Sequence, residues 1–158
     1  MIGTAQVITV STRAAAGVYA DRSGPIIAAG LRELGFEVGE PVVVPDGEKV
    51  AAALRSAVEE GSAVVITTGG TGLREDDRTP EHTRSVVERE IPQLVAEIAR
   101  YGVDHGVPTA VLSRGIAGVA GKTLIINLPG SSGAARDGMI VLAPVLAHAV
   151  SQLRGGDH

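Results

Sequence analysis

Glycines, hydroxyls and carboxylates follow directly after an apolar, strand-like run in the middle of the chain. Residues 63–67 are Ala-Val-Val-Ile-Thr, residues 68–72 are Thr-Gly-Gly-Thr-Gly, and Asp76 and Asp77 precede the helix start Thr-Pro-Glu at 79–81. Glycine lets backbone N–H groups approach an anion closely, and carboxylates bind the hard cation that accompanies nucleotide phosphates. The segment predicts a site for a polyphosphate and its magnesium ion, although glycine loops also occur as plain turns.

A second loop with the same chemistry begins at residue 127. Residues 127–133 read Asn-Leu-Pro-Gly-Ser-Ser-Gly and are followed by a helical pattern. Backbone N–H groups, serine hydroxyls and the positive end of the helix dipole all favour a bound anion. Two loops of this kind suit a ligand that carries phosphates at both ends.

Asp46 and Arg114 extend this set of candidates. Asp46 lies in the turn sequence Pro-Asp-Gly, and its simplest role is that of a turn former or helix cap. In a parallel sheet, however, the loops after the strands meet at one edge, where Asp46, Asp76 and Asp77 could supply carboxylates to magnesium beside substrate phosphates. Arg114 follows Ser113 and can either bind a phosphate through two hydrogen bonds or form an exposed salt bridge.

The composition argues against several classes of function. The chain of 158 residues is expected to form one domain, 1–154, with a polar tail at 155–158. A net charge of −4 and an aromatic content of 2% argue against nucleic acid as a partner. The absence of cysteine excludes disulfides and thiolate metal sites, and the histidines at 82, 105, 148 and 158 lack metal-ligand spacing. Neither a signal peptide nor a membrane-spanning run is evident, so we expect a soluble, cytoplasmic protein.

Apolar runs alternate with helical patterns along the chain. The runs at 5–10, 38–44 and 63–66 predict a doubly wound α/β domain with a mostly parallel sheet and helices on both faces. Residues 116–119 and 122–128 flank Ala-Gly and predict a hairpin, which adds a small antiparallel element at the edge of the sheet.

Capping residues, prolines and glycines set the expected helix boundaries. Ser23 is the expected N-cap of a helix that reaches residue 34, and Thr79 offers a capping hydroxyl for a later helix. The remaining helices are expected at 48–59, at 92–101 with Gly102 closing it, and after Pro144.

Several short motifs occur in an order and spacing that is highly specific when they are taken together. They are Val10-Ser11 with Asp21-Arg22-Ser23-Gly24-Pro25, Val44-Pro45-Asp46, the run 67–72, Asp77-Arg78-Thr79-Pro80-Glu81, Leu112-Ser113-Arg114 and the run 126–130. Through them nearly the whole chain resembles the molybdopterin adenylyltransferases of molybdenum cofactor biosynthesis. That family includes the Mog proteins and the G domains of gephyrin and of its plant relative.

The resemblance implies a doubly wound fold, usually assembled as a homotrimer, that uses Mg-ATP to adenylylate the terminal phosphate of molybdopterin and releases pyrophosphate. It also implies that the product passes to the enzyme that inserts molybdenum. Asp46 and Asp77 match the two aspartates needed for adenylylation, and we take them as catalytic residues and metal ligands. The substrate-binding residues expected from the loops and the resemblance are Ser11, Thr12, Ser23, Gly69, Gly70, Thr71, Gly72, Thr79, Ser113, Arg114, Asn127, Pro129, Gly130, Ser131 and Ser132. Among them, Ser113 matches a serine at the pterin end of the site.

Two positions depart from the family pattern. Relatives commonly have arginine directly before the second aspartate, whereas this chain has Asp76 there and arginines at 74 and 78. The family often continues from Pro-Gly through one residue to Pro-Lys, whereas residues 131–134 are Ser-Ser-Gly-Ala. Two other functions stay open at this point: a non-catalytic pterin-binding or scaffold protein of the same fold, and an enzyme that hydrolyses nucleotide pyrophosphates.

Overall fold

Seven strands and seven α-helices make up residues 2–156, the part of the chain that the computed structural model describes. The strands are β1 Gly3–Val10, β2 Phe36–Val38, β3 Val42–Val44, β4 Val64–Thr68, β5 Arg89–Glu90, β6 Ala117–Ala120 and β7 Thr123–Leu128. The helices are α1 Thr12–Ala15, α2 Ser23–Glu33, α3 Glu48–Glu59, α4 Thr79–Arg84, α5 Pro92–Asp104, α6 Ser132–Leu142 and α7 Leu146–Leu153, with a 3-10 helix at Pro108–Leu112. Residues 157 and 158 of the expected tail, including His158, lie outside the described residues.

The sheet has the order β2-β1-β4-β7-β6-β5, and β3 also pairs with β1. Strands β1, β4 and β7 run parallel, while β6 pairs antiparallel with both β7 and β5. The predicted α/β class, the mostly parallel sheet and the antiparallel edge are therefore confirmed. The predicted hairpin is present, but its second strand, β7, lies inside the sheet beside β4 rather than at the edge. The reason is that β7 is apolar on both faces and needs cover on each.

The single strand predicted at 38–44 is wrong, because two short strands replace it. Strand β2 pairs with the beginning of β1, and β3 pairs with its end. Pro41 lies between them and has no N–H group to contribute to the ladder. The interruption moves β3 to the carboxyl end of β1, which brings Asp46 to the edge where β1 ends.

Side chains of the central strands point alternately to the two faces of the sheet, so the core has two layers. Val64 and Ile66 of β4 belong to one apolar cluster together with residues of α2, α6 and α7. Val65, between them, belongs to a second cluster with Val50 and Leu54 of α3. Since successive side chains of a strand point to opposite faces, the sheet is covered by helices on both sides, as predicted.

Helix α5 extends beyond its predicted end. Gly102, expected to close it, is a buried residue inside the helix, and a Cβ there would lie 2.7 Å from the Cβ of Ala110. Gly106, with φ of +93°, follows the true end of the helix. Gly102 instead lets the 3-10 helix pack closely against α5.

No single helix among residues 2–156 has the length and hydropathy needed to cross a bilayer. Helices α6 and α7 pass that test only as a pair, and they meet at an angle of 62°. Leu142 and Leu146, on either side of the bend, are buried in the core.

Candidate active site

The loops that follow β1, β3, β4 and β7 meet at one edge of the sheet, as parallel pairing requires. Two adjoining cavities open there. The first, which we term the polar cavity, has a volume of about 700 Å³ and is lined largely by charged and hydroxyl-bearing residues. The predicted site residues that line it are Ser11, Thr12, Ser23, Asp46, Gly70, Asp77, Gly130, Ser131 and Ser132.

The second cavity, which we term the apolar cavity, has a volume of about 670 Å³ and is bordered by the glycine loop and by α5. Its walls include Val95, Ile98 and Ala99 of α5 and Leu112 of the 3-10 helix. The predicted site residues that line it are Gly69, Gly70, Thr71, Gly72, Asp77, Ser113, Asn127, Pro129, Gly130 and Ser131. The structure thus brings most of the predicted residues together, but they line two cavities, one polar and one apolar.

A shared wall separates the two cavities. Gly70, Asp77, Gly130 and Ser131 line both of them. The two glycine loops are in contact here, since a Cβ at Gly130 would lie 3.3 Å from the Cα of Gly69. A ligand that occupies both cavities therefore crosses bare backbone, where phosphate oxygens can approach N–H groups.

Gly69 and Gly70 are required by the backbone as well as by any ligand. Their φ angles are +102° and +70°, a region that favours glycine. A Cβ at Gly69 would overlap the carbonyl oxygen of Val10, and one at Gly70 would overlap Oγ1 of Thr79. The backbone of this loop therefore needs glycine at both positions, as a plain turn would. The same residues can also bind a ligand.

The two predicted metal ligands, Asp46 and Asp77, line the same polar cavity. Asp46 accepts a hydrogen bond from the hydroxyl of Thr12 at 2.9 Å. Oδ2 of Asp77 accepts one from the backbone N–H of Arg74 at 3.0 Å, which holds the carboxylate within the turn before α4. Both side chains are half-buried, so each presents a fixed carboxylate that solvent and ligands can reach.

The donor set fits magnesium that arrives with a nucleotide. Within residues 2–156 no group of three or more histidine, aspartate or glutamate residues is placed to hold a metal ion by itself. Magnesium is commonly held by one or two carboxylates together with substrate phosphates and water. Asp46 and Asp77 match that requirement.

Arg114 forms a salt bridge with Glu81, which is one of the two roles that the sequence left open for it. Its guanidinium forms two hydrogen bonds with Glu81, at 2.7 and 3.3 Å, and donates to the carbonyl oxygens of Gly72 and Asp77. It lines neither cavity. The hydrogen bonds from Arg114 lower the pKa of Glu81 below its ordinary value of 4.5, and Glu81 raises the pKa of Arg114. Arg114 thus fastens the loop that carries Asp77 to helix α4.

Thr79 and Asn127, both predicted to bind substrate, are buried residues. Thr79 is buried, lines neither cavity and does not cap α4, and its Oγ1 has no hydrogen-bond partner among the described residues. Asn127 lines the apolar cavity, but its Nδ2 donates to Thr67 and Thr83, and its Oδ1 accepts from the N–H of Ile116. Asn127 therefore joins β4, α4 and the residue before β6, and both N–H groups of its amide are used within the protein.

Ser23 lies in the polar cavity but is not the cap predicted for α2. The N-cap position is occupied by Arg22, whose side chain makes no capping bond. One residue earlier, Oδ1 of Asp21 accepts from the N–H of Gly24 at 3.0 Å, and its Oδ2 accepts from the hydroxyl of Thr9. Oγ of Ser23 lies 3.0 Å from Oγ1 of Thr68. Ser23 thus connects the start of α2 to the end of β4.

Sequence reasoning missed three basic residues and one aromatic residue of the polar cavity. Arg13, Arg22 and Arg74 line it, and Tyr19 lines it with its hydroxyl 2.9 Å from Oγ of Ser11. Arg74 also forms an ion pair with Asp76 at 3.5 Å. The sequence pointed to one of these residues, since Arg22 lies within the motif at 21–25. The neighbouring residues in the sequence, however, do not show in which direction an exposed arginine side chain points.

Comparison with known families decides the assignment. The sequence matches the family described as "Probable molybdopterin binding domain" over residues 6–148. The chain belongs to this molybdopterin-binding family.

Relatives within the molybdopterin-binding family carry consistent descriptions. The chain is 36% identical to a molybdenum cofactor biosynthesis bifunctional protein of Chlorobaculum tepidum, covering 96% of this chain and 49% of that protein. It is 35% identical to a molybdopterin adenylyltransferase of Helicobacter pylori, covering 94% of this chain and 86% of that protein. The chain therefore spans about half the length of the first relative and most of the second.

A solved structure of the family confirms the fold. The molybdopterin biosynthesis Mog protein from Mycobacterium ulcerans superposes with a TM-score of 0.91 at 53% identity, covering 96% of this chain and 99% of that one. The resemblance stated from the sequence motifs is therefore confirmed.

Proposed function

We propose that this protein transfers the adenylyl group of Mg-ATP to the terminal phosphate of molybdopterin, releases pyrophosphate, and thereby serves molybdenum cofactor biosynthesis. The observation that carries the proposal is the pair of cavities that share a wall of two glycine loops. One cavity is polar and the other is apolar, which matches two substrates: a highly charged nucleotide and a heterocycle attached to a phosphate. The descriptions of the relatives support the same conclusion.

The polar cavity is the proposed site of ATP. Arg13, Arg22 and Arg74 supply positive charge for a triphosphate, and Asp46 and Asp77 supply carboxylates for its magnesium ion. Arginine at position 74 replaces the basic residue that relatives have directly before Asp77. The mixed charge of the cavity suits a metal–nucleotide complex better than a free anion.

The apolar cavity is the proposed site of the pterin. Ser113 lies at its wall, where its Oγ donates to Oγ1 of Thr71 at 3.3 Å and accepts from the N–H of Gly115 at 3.3 Å. These bonds place the hydroxyl beside the glycine loop. Ser113 is thus positioned to orient the pterin substrate next to the shared wall.

In the proposed reaction, an oxygen of the molybdopterin phosphate forms a bond to the α-phosphorus of ATP. The bond from that phosphorus to the bridging oxygen of pyrophosphate breaks, and pyrophosphate leaves with the electron pair. The attacking phosphate is already ionised near neutral pH, so no general base is needed. When bound, magnesium neutralises part of the negative charge on the departing phosphates.

The protein's main contribution in this scheme is to hold two anions against each other. The backbone of Gly70 and Gly130 at the shared wall allows the reacting phosphates to approach, and donors fixed before the reaction stabilise the transferred group. Correct orientation of two reactants can lower a barrier by roughly 7–11 kcal/mol. Asp46 and Asp77 act as positioning ligands rather than as proton acceptors.

The test is incubation of the purified protein with molybdopterin and Mg-ATP, followed by mass spectrometry. The expected product is adenylylated molybdopterin, formed together with an equal amount of pyrophosphate. Hydrolysis of ATP at the same rate without any pterin would instead favour a nucleotide pyrophosphatase. Binding of molybdopterin without any transfer would favour a scaffold protein.

Three further properties accompany this proposal: a homotrimeric assembly, a cytoplasmic location and delivery of the product to the enzyme that inserts molybdenum. Exposed apolar side chains at Leu73, Val111 and Leu112 are consistent with contact between copies. Light scattering of the purified protein tests the trimer, for which a mass of three chains is expected.

A further inference from the structure

The apolar cavity contains a carboxylate that the proposed mechanism does not use. Among the described residues that line this cavity, only Asp77 and Asp137 carry a charge. Asp77 lies at the shared wall, where the mechanism places the phosphates. Asp137 lies on α6, lines only the apolar cavity and has no part in the proposed transfer.

Asp137 lies further along α6 than the serine loop that begins this helix, and both line the apolar cavity. Ser131 precedes α6 as its N-cap, and Ser131, Ala134 and Asp137 all line the cavity, each three residues from the next. At 1.5 Å per residue, Asp137 lies about 9 Å along the helix from Ser131. A ligand whose phosphate rests at Ser131 therefore extends toward Asp137 with its other end.

The carboxylate of Asp137 is available to such a ligand. It makes no hydrogen bond or ion pair with another residue in the range 2–156, although it is half-buried. The cavity wall opposite is apolar, with Val95 and Ile98 of α5. A carboxylate that loses part of its hydration is costly unless a donor pairs with it, so a ligand with N–H groups at its far end gains a specific contact.

We propose that Asp137 determines specificity for the pterin by accepting hydrogen bonds from the 2-amino group and the adjacent ring N–H of the heterocycle. This inference rests on the proposed function. A carboxylate has two oxygens in one plane, and these two N–H groups lie side by side in the plane of the ring, so the pair can bond in two places. The apolar walls of α5 cover the faces of the ring, and Asp137 recognises its edge.

The same chemistry predicts which analogue is rejected. A pteridine with a carbonyl oxygen in place of the 2-amino group presents an acceptor to the carboxylate, and two acceptors repel. The substitution Asp137→Asn reverses the match, because the amide N–H groups of the new side chain can donate to that carbonyl while its oxygen accepts from the ring N–H. A site built around a hydrogen bond discriminates strongly against an analogue that lacks the partner group.

The experiment measures binding of 6-hydroxymethylpterin and of 6-hydroxymethyl-lumazine, which has the 2-carbonyl group, by fluorescence titration. The proteins are the unaltered protein, Asp137→Asn, Asp137→Ala and the control Arg136→Gln, whose side chain is exposed and lines neither cavity. We expect the unaltered protein and the control to prefer the pterin at least about tenfold. Asp137→Asn should reverse the preference, and Asp137→Ala should abolish it. Affinity for Mg-ATP and the Tm serve as measures of an intact fold and should change little.

An unchanged ratio of pterin to lumazine affinity in Asp137→Asn would overturn this inference alone, provided that the unaltered protein binds pterin and forms adenylylated molybdopterin. Formation of adenylylated molybdopterin by an unaltered protein that binds the two pteridines equally would also overturn the inference alone. Failure of the unaltered protein both to bind either pteridine and to adenylylate molybdopterin would overturn the inference and the proposed function together. If Asp137→Asn has a lower Tm than the unaltered protein, Asp137→Ala becomes the deciding variant. A retained tenfold preference of Asp137→Ala for the pterin would contradict the inference, and equal affinities for the two pteridines would support it.

Discussion

The hydroxyl of Thr12 donates a hydrogen bond to Oδ2 of Asp46 at 2.9 Å and accepts one from the backbone N–H of Asp46 at 3.1 Å. This reciprocal pair joins the start of α1, after β1, to the turn after β3. It also fixes the direction of the carboxylate on the wall of the polar cavity. The orientation of Asp46 is therefore set by a residue 34 positions away in the sequence.

Thr12→Val should lower the rate of adenylyl transfer about fivefold, because loss of one hydrogen bond of about 1 kcal/mol frees the carboxylate of Asp46 to rotate. The apparent affinity for magnesium should fall by a similar factor. Steady-state assays over a range of magnesium concentrations measure both. Thr12→Ser keeps the hydroxyl and should behave as the unaltered protein, and an equal loss in Thr12→Ser would argue against the orienting role.

Asp77→Asn should abolish adenylyl transfer and leave pterin affinity within about twofold. The amide oxygen of asparagine can still accept the hydrogen bond from the N–H of Arg74, so the turn is retained, but the charge that attracts magnesium is lost. Product formation and calorimetric titration with a pterin are the two measurements. Asp104→Asn, outside both cavities, is the control for loss of one negative charge. Transfer by Asp77→Asn at an undiminished rate would remove this residue from the mechanism.

Ser113→Ala should weaken pterin binding about fivefold while affinity for Mg-ATP stays unchanged. The reason is that Ser113 lines only the apolar cavity, and one hydroxyl contributes roughly 1 kcal/mol. Calorimetry with each substrate separately resolves the two affinities. Equal weakening of both would show that Ser113 acts on the shared wall through Thr71 rather than on the pterin.

Arg114→Ala should lower the free energy of unfolding by about 1–2 kcal/mol, because it breaks charge-assisted hydrogen bonds to Glu81 and leaves the carbonyl oxygens of Gly72 and Asp77 without their partner. Arg114→Lys should recover only part of this, since an ammonium group cannot form the paired contacts. Denaturant unfolding supplies the values. Arg100→Ala, which breaks exposed ion pairs on α5, is the matched comparison and should change stability little. A loss no larger than that of Arg100→Ala would mean that the bonds of Arg114 do not stabilise the loop.

The Glu81–Arg114 pair should also give a pH dependence with a definite sign. Arg114 lowers the pKa of Glu81 in the folded protein below its ordinary value of 4.5, so the pair stabilises the fold fully above that pH. The stabilisation is lost as the pH falls from about 4.5 through the lower folded value. The difference in unfolding free energy between the unaltered protein and Glu81→Gln should therefore be constant from pH 7 to 5 and shrink below 4.5. A difference that grows on acidification would contradict the direction of the shift.

Thr79→Val should be neutral or stabilising by up to about 1 kcal/mol, because the buried Oγ1 of Thr79 has no hydrogen-bond partner among the described residues. Thr83→Val, one turn later, should cost about 1–3 kcal/mol, because the hydroxyl of Thr83 donates to the carbonyl oxygen of Thr79 and accepts from Asn127. Thermal unfolding compares the two. The same Thr79→Val protein tests the predicted binding role, which a large loss of affinity for Mg-ATP would support and an unchanged affinity would oppose.

The fold was accessible from the sequence because its signals are local. The apolar run at 63–67 specified a buried strand, and glycines at 69 and 70 specified a backbone that other residues avoid. Gly102 was interpreted as a helix end because a local pattern does not show that the 3-10 helix packs against α5 and brings Ala110 to Gly102. The order and spacing of the motifs likewise identified the family without any coordinates.

The division of the site into a polar and an apolar cavity, by contrast, was decided only by the tertiary structure. Sequence reasoning chose Arg114 for substrate binding and missed Arg13, Arg22 and Arg74. The last three line the polar cavity, while Arg114 is paired with Glu81. A long charged side chain finds its partner across the fold, and the two members of this pair are 33 residues apart. Types of residue and backbone preferences are written in the chain itself, whereas the direction of a side chain and the neighbour that it contacts depend on how the loops pack at the edge of the sheet.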